Sequence, residues 1–269
     1  MRDNPASIEA RVPPSCDEGD IARGDRKGVI FGPVRRTFDP KFLNSVINHP
    51  DVRPWLEGEG ELDISHQAYN PANFVLQTEL GGFLLICHEP GRYEVHSQFL
   101  PGHATHPVRA MQAAQEWMFT RTDCEAIVSK IPDGNKAAKG FALVGGLRPI
   151  FRREGAEYVE LTLMDWAMRT PSLEAHGERF HDLLESAKIA GGSERPIHPH
   201  DPAHERAVGA ALLMIERGQP AKGVGFYNRW ARQAGYAEIA LISASPPTVD
   251  AVDAVVGLGE TGMEVLLCR

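Results

Sequence analysis

Cysteine is scarce in this sequence: Cys16, Cys87, Cys124 and Cys268 lie far apart, and no two show CxxC spacing. That pattern excludes a disulfide scaffold and a cysteine-based zinc site, and it predicts reduced thiols in a cytosolic protein. Long apolar runs are missing as well. No stretch approaches the roughly 18 apolar residues that a membrane-spanning helix needs. The N-terminus is polar and mixed in charge, where a secretory signal would be basic and then apolar. These absences predict a soluble cytoplasmic protein without membrane association. Positive charge is also thin. Against 36 Asp and Glu there are 28 Lys and Arg, a formal net charge of −8, so nucleic acid is not the expected partner. Aromatic residues make up 7% of the chain, but 42% of its 269 residues are hydrophobic, which is enough for a sizeable core.

Residues 1–27 carry Pro5, Pro13, Pro14, Gly19, Gly24 and many charges with no apolar period. They predict an arm without its own core, one that lies on a partner where it is ordered. Beyond it, Gly28-Val29-Ile30-Phe31 reads as a strand. Asp39 and Pro40 read as an N-cap and first helical position for a helix through Phe42, Val46 and Ile47. Strands Asn73 to Glu79 and Phe83 to His88 are joined by Leu80-Gly81-Gly82 as a hairpin. In Tyr93 to Leu100 two different faces alternate, with Glu94 and His96 on one of them. A loop from Pro101 to His106 follows, and Pro107 opens a helix bearing Met111, Ala114, Trp117 and Met118 on overlapping apolar rows. Ala126-Ile127-Val128 is a short buried strand, and Gly134 to Val144 a helix stopped by Gly145-Gly146. Strand Tyr158 to Met164 completes an α/β architecture in which a mixed sheet combines hairpins with helical crossovers.

Residues 171–269 read as a C-terminal extension. Helices are expected near Leu173 to Lys188, Ala203 to Arg217 and Gly223 to Gln233. Strands are expected at Glu238 to Ser243, Ala251 to Leu258 and Met263 to Cys268, the last two forming a β-hairpin. The domains expected are therefore the arm (1–27), an α/β domain (28–170) and the extension (171–269). A partner protein, or a second copy of the chain, is expected to dock through the extension and the arm.

The segment Asp133-Gly134-Asn135-Lys136-Ala137-Ala138, ending at Gly145-Gly146-Leu147, resembles the last sequence motif of the GNAT N-acetyltransferase superfamily. Asn135, Ala138 and Gly146 fit that motif, and Leu147 stands in for its Phe. Within the superfamily, Asn48-His49-Pro50-Asp51-Val52-Arg53-Pro54-Trp55 and Trp117 to Asp123 look like GNAT-like proteins encoded by tailed bacteriophages. The resemblance covers about residues 28–167. It implies a GNAT-like fold whose two central strands, Tyr93 to Leu100 and Glu125 to Lys130, diverge to admit acetyl-CoA, with the pyrophosphate on backbone N–H groups at a helix N-terminus.

On that resemblance the cofactor-binding residues are Leu100, Gly102, His103, Ala104, Thr105, Arg109 and Asn135. The loop departs from the family's pattern, because its two glycine positions fall near Pro107 and Arg109, and a proline supplies no N–H. The family's general base corresponds to Glu94, with His96 beside it. Each also reads as a solvated or ion-paired group on a half-exposed strand. The family's acidic Tyr is replaced by Ala142. Two functions follow: an acetyl-CoA-dependent N-acyltransferase with a degenerate cofactor loop, or a catalytically inactive structural or assembly protein of a phage particle, located in host cytoplasm or virion.

Two further clusters have bland alternatives. His198, His200, Asp201 and His204 have metal-ligand chemistry, but Asp201 before Pro202 also describes a helix cap. Phe226, Tyr227, Trp230 and Tyr236 with Arg229 and Arg232 suit stacking on a partner, and equally the buried side of one helix. Neither site is assigned, and no metal is expected. An extension of this size buries too little surface to fold well alone. Residues 192–269 expressed separately should melt without cooperativity, and a chain ended near residue 190 should aggregate. A cooperative melt together with a soluble truncated chain would make the extension an independent module.

Overall fold

The computed structural model describes residues 34–56, 58–102, 105–179, 201–236, 239–242, 255–258 and 263–267. The expected arm and the strand at Gly28 to Phe31 lie outside them. Strand β1 (Arg35–Thr37) leads into helix α1 (Lys41–Ile47), a 3-10 turn (Arg53–Trp55) and α2 (Ser65–Tyr69). Next come β2 (Phe74–Thr78), β3 (Gly81–Glu89), β4 (Arg92–Phe99), α3 (His106–Arg121), β5 (Ala126–Pro132) and α4 (Lys136–Val144). The remainder of this unit is β6 (Arg148–Arg153), β7 (Ala156–Thr162) and α5 (Leu163–Arg169). After a helical segment at 172–179, α6, come α7 (Pro202–Glu216), α8 (Pro220–Ala234), β8 (Ile239–Ile242), β9 (Val255–Leu258) and β10 (Met263–Leu267).

Seven strands form one mixed sheet in the order β1-β2-β3-β4-β5-β7-β6, and β8-β10-β9 form a separate antiparallel sheet. Within the large sheet only β4 and β5 are parallel. Their α3 crossover is what a parallel neighbour requires. This is the expected α/β mixed sheet, and its strands β4 and β5 part as the resemblance implies. No helix among the described residues is long and apolar enough to cross a membrane.

Local chemistry sets most element boundaries. The Asp39 carboxylate accepts the Lys41 N–H at 3.0 Å, one residue earlier than an N-cap at Pro40 would place it. Asn135 caps α4 by accepting the Ala138 N–H at 2.9 Å. Thr162 caps α5 by accepting the Asp165 N–H at 3.1 Å. That cap ends β7 two residues before the expected Met164 and starts a helix the apolar pattern had merged into the strand. Strand β6 was not expected either. It is exposed throughout, so it carries no alternating burial pattern. In the β2–β3 hairpin, Gly81 has φ +150° and a Cβ there would stand 2.1 Å from the Gln98 carbonyl. Only glycine lets β3 approach β4 so closely at that point.

The two ends of β4 and β5 are treated differently. At the start, both the Glu125 and Ala126 N–H groups donate to the Gly91 carbonyl, at 2.7 and 2.9 Å. The Asp123 carboxylate accepts from the Gly91 N–H at 3.1 Å and the Tyr93 hydroxyl at 2.6 Å. Arg92 reaches across β5 to Glu160 on β7 at 2.6 Å. Register is kept for three residue pairs, Arg92↔Ala126, Tyr93↔Ile127 and Glu94↔Val128, and pairing then stops although both strands continue. Past that point Ser129 Oγ donates to the Val95 carbonyl at 3.2 Å in place of a backbone bond.

One main core lies on the α3 side of the sheet. It joins Met118, Phe119, Ile127, Leu161 and Trp166 to Met214, Phe226 and Trp230 of α7 and α8. The aromatic run of α8 is therefore packing, with Phe226, Tyr227 and Trp230 all buried. The expected apolar row at Val252, Val255, Met263, Val265 and Leu267 has no described side chains. A second, smaller core of Leu43, Ala68, Val75 and Leu84 lies under α1 and α2 on the opposite face.

Lys222 of α8 ties the extension to the turn after α3. Its ammonium donates to the carbonyls of Phe119, Thr122 and Cys124 at 2.8, 2.9 and 2.6 Å. Burial pushes the Lys222 pKa below its ordinary value, with Cys124 and the neighbouring carboxylates pulling it back up. The Cys124 thiol is pushed up to about 12, chiefly by burial, and stays protonated. Lys222→Met should leave those carbonyls without their donor and destabilise the protein by roughly 2–5 kcal/mol, read as a lowered denaturant midpoint. An unchanged midpoint would refute the role given to this ammonium.

Candidate functional site

Where β4 and β5 separate, a cavity of about 600 Å³ opens through the sheet. Residues 94–98 of β4 form one wall and residues from Ser129 to Pro132 of β5 the other, with Asn135, Ala138 and Ala142 of α4 at one side. Trp55, Asp63 and Gln67 line it from the α1–α2 side.

Glu94 stands at the fork, since it belongs to the last paired position before the strands diverge. Its Oε2 lies 2.6 Å from His88 Nε2, and its Oε1 lies 3.6 Å from His96 Nε2. Pairing of Ile86 with Glu94 and of Leu84 with His96 puts both on the α1–α2 face of the sheet. Desolvation holds His96 below the usual imidazole value of 6.5, against the opposing pull of Glu94, and the nearby His88 lowers it further. His96 is thus neutral near pH 7 and carries a lone pair for accepting a proton.

Backbone groups complete the site. The Val95 carbonyl faces the gap, where Ser129 reaches it. In an antiparallel pair a residue's N–H and C=O point the same way and alternate along the strand. Val95 faces β5 at the last paired position, so Ser97 is the residue that turns both groups toward the gap beyond the end of the ladder.

Of the residues expected from sequence, the structure brings together Glu94, His96 and Asn135. The Asn135 carboxamide oxygen is engaged as the α4 cap. Leu100 is not part of the cavity wall; its N–H donates to the Leu80 carbonyl at 2.9 Å, closing the strand end onto the hairpin. Gly102 has φ +93° and is exposed. His103 and Ala104 lie outside the described residues. Thr105 is the α3 N-cap position but makes no side-chain cap. His106 is committed to Thr78 Oγ1 at 3.0 Å. Pro107, at the second helical position, leaves the first-turn N–H groups of His106 and Val108 as donors. Arg109 is exposed, one turn along the same helix.

Sequence reading missed His88, Gln67, Asp63 and Gln98. The period-two alternation of β3 against β4 was the signal for His88, which lies on the Glu94 face of the hairpin. Gln67 and Asp63 come from a segment without periodicity, so no signal pointed to them. In the other candidate cluster, His198 and His200 lie outside the described residues. Asp201 caps α7 by accepting the Ala203 N–H at 2.9 Å, and His204 stacks on Tyr236 at 4.6 Å. No metal-binding group of three or more side chains occurs among the described residues.

Fold and site together define an α/β protein whose central parallel strands are splayed over a carboxylate–imidazole cluster. Solved structures similar to it include the spermidine N-acetyltransferase of Vibrio cholerae in complex with CoA and spermine, at 13% identity, covering 50% of this chain and 96% of that one, with TM-score 0.40. A GNAT-family acetyltransferase from Bacillus anthracis is 16% identical, with coverage of 48% and 93% and TM-score 0.39. The N-acetyltransferase PseH of Campylobacter jejuni, in complex with acetyl coenzyme A, is 12% identical, with coverage of 35% and 70% and TM-score 0.31. No family model and no curated protein matches the sequence.

The depressed His96 pKa has a consequence for stability. Below about pH 6.5 the unfolded chain binds a proton at this position that the folded chain resists, so stability falls as pH drops from 6.5 toward the folded pKa. His96→Gln should weaken the loss of stability between about pH 7 and about pH 5.5, read from urea midpoints. An identical pH dependence in both proteins would show that His96 is not desolvated.

Proposed function

We propose that this chain is an N-acyltransferase that takes its acyl group from acetyl-CoA and uses Glu94 as general base. The observation that carries the reading is the position of Glu94 at the fork of β4 and β5. There a carboxylate meets the cavity at the point where the β4–β5 ladder ends.

The residues present fit an acyl thioester at the gap. The N–H group of Ser97, beyond the last β4–β5 pair, is placed to polarise its carbonyl oxygen. The N–H groups of His106 and Val108, with the Arg109 guanidinium, are the donors for its phosphates. Pro107 makes this end of the site thinner than a glycine-rich loop would. When bound, the thioester supplies an electrophilic carbonyl carbon, to which the amine nitrogen bonds as the carbon–sulfur bond breaks. Glu94 takes the proton of the amine, directly or through neutral His96, and half-exposed His88 at 2.6 Å passes it to solvent. Ala142 offers no proton to the departing thiolate, which leaves solvent as that donor.

Ala142 and Pro107 favour a second reading, a GNAT-fold protein that has lost catalysis and serves as a structural or assembly component. Calorimetric titration with acetyl-CoA separates the two. Saturable binding in the micromolar range supports the enzyme, and absence of heat supports the structural role. Glu94→Gln should then lower turnover by roughly 100-fold while leaving acetyl-CoA binding intact. Full turnover in that variant would remove Glu94 from the mechanism.

A further inference from the structure

The acceptor side of the cavity has hydrogen-bond acceptors that nothing in the protein satisfies. Gln98 is 6% exposed on β4, and its Oε1 is buried with no donor. Gln67 Oε1, on α2, is in the same condition. Both side chains line the cavity on the α1–α2 side. A buried carbonyl without a donor costs about 1–3 kcal/mol, so two around one cavity mark groups awaiting a ligand's N–H or O–H.

The surroundings narrow the ligand. Two carboxylates, Glu94 and Asp63, line the same space. Asp63 is held below the usual carboxylate range first by hydrogen bonds from Ser65 and then by Asn44, so it stays anionic. Lys130 is the one Lys or Arg in the described lining. One ammonium therefore has carboxylates to meet. A second ammonium is a poor match for Gln67 and Gln98, because neutral carboxamides compensate a buried charge incompletely. Neutral hydroxyls match them. At the mouth, Trp55 is 72% exposed, and its indole face is a large apolar surface bound to the protein by little. Such a face suits the C–H surface of a saturated ring.

Resting on the acyltransferase reading for the identity of the site, we propose that its acceptor substrate is a hydroxylated cyclic amine of the amino-sugar class, with its hydroxyls on Gln67 and Gln98 and its ring on Trp55. The amine faces Glu94.

The test measures binding of the amine alone, without acyl donor, to the full chain. D-glucosamine, cyclohexylamine and spermidine are the probes in calorimetry or ligand-observed NMR. Glucosamine should bind, and cyclohexylamine, which has the ring and the amine without hydroxyls, should bind at least tenfold more weakly. Gln98→Leu and, separately, Gln67→Leu should each weaken glucosamine about tenfold and leave cyclohexylamine unchanged. Because Gln98 is buried, each variant is first required to match the parent melting temperature, and Trp55→Ala, at an exposed position, gives an independent loss of glucosamine affinity. Equal binding of glucosamine and cyclohexylamine, or preferential binding of spermidine, overturns the proposal while leaving the acyltransferase reading standing. Failure of all three amines to bind overturns the proposal, and acetyl-CoA titration then decides the fate of the broader reading separately.

Discussion

The structure turns on the way β4 and β5 are pinned at one end. Parallel strands normally stay in register because each added residue adds ladder bonds. Here the ladder is strongest where it begins: Gly91, Tyr93 and Arg92 are gripped by the turn after α3, by Asp123 and by Glu160. Beyond Glu94 and Val128 the ladder is gone. A sheet pinned at one end and open at the other leaves strand backbone unpaired inside the protein, which is costly unless a ligand or side chain takes it up. Ser129 takes up one such group. The rest face a cavity, and that makes the opening a place for a ligand.

The same turn connects the C-terminal helices to the site. Lys222 holds the carbonyls of Phe119, Thr122 and Cys124, Gln219 reaches the Arg121 carbonyl, and Arg229 pairs with Glu125. These partners flank Asp123, whose carboxylate sets where β4 begins. The ammonium also takes carbonyls at the C-terminal end of α3, where the helix dipole favours a cation. Helix α8 thus braces the strands on which Glu94 and His96 stand, with no side chain of its own in the cavity wall.

Much of this was legible in the sequence, and what was not has physical causes. The strand, loop, long helix and strand around residues 93–128 were readable because alternation and helical periodicity are both strong there. Asn135 was legible as a motif residue, and its role as an α4 cap follows from the same chemistry. The divergence of β4 from β5 came from resemblance, since nothing in the residues of either strand marks where pairing stops. Strand β6 was invisible because none of its residues is buried. Gln67 and Gln98 illustrate a deeper limit. Each is an ordinary polar residue in sequence, and becomes informative only when its oxygen is found buried without a donor.

The replacement of a phenol by Ala142 weighs less against catalysis than the loss of Glu94 would. An alkylamine with pKa near 10.4 must surrender a proton before it can attack, and at pH 7 that deprotonation costs about 4–5 kcal/mol. A thiolate whose conjugate thiol has pKa near 8.5 leaves only about 1.5 pH units above neutrality, so protonating it is worth about 2 kcal/mol. Acyl transfer from a thioester to an amine therefore places its heavier demand on the base. This cavity meets that demand with a carboxylate and a neutral imidazole on one strand face, and with a second imidazole leading to solvent. On the acyltransferase reading, Glu94 and His96 thus supply the more consequential half of the proton chemistry, and Ala142 removes the lesser half. The thin phosphate end at Pro107, rather than Ala142, is the feature on which the acyltransferase reading most depends.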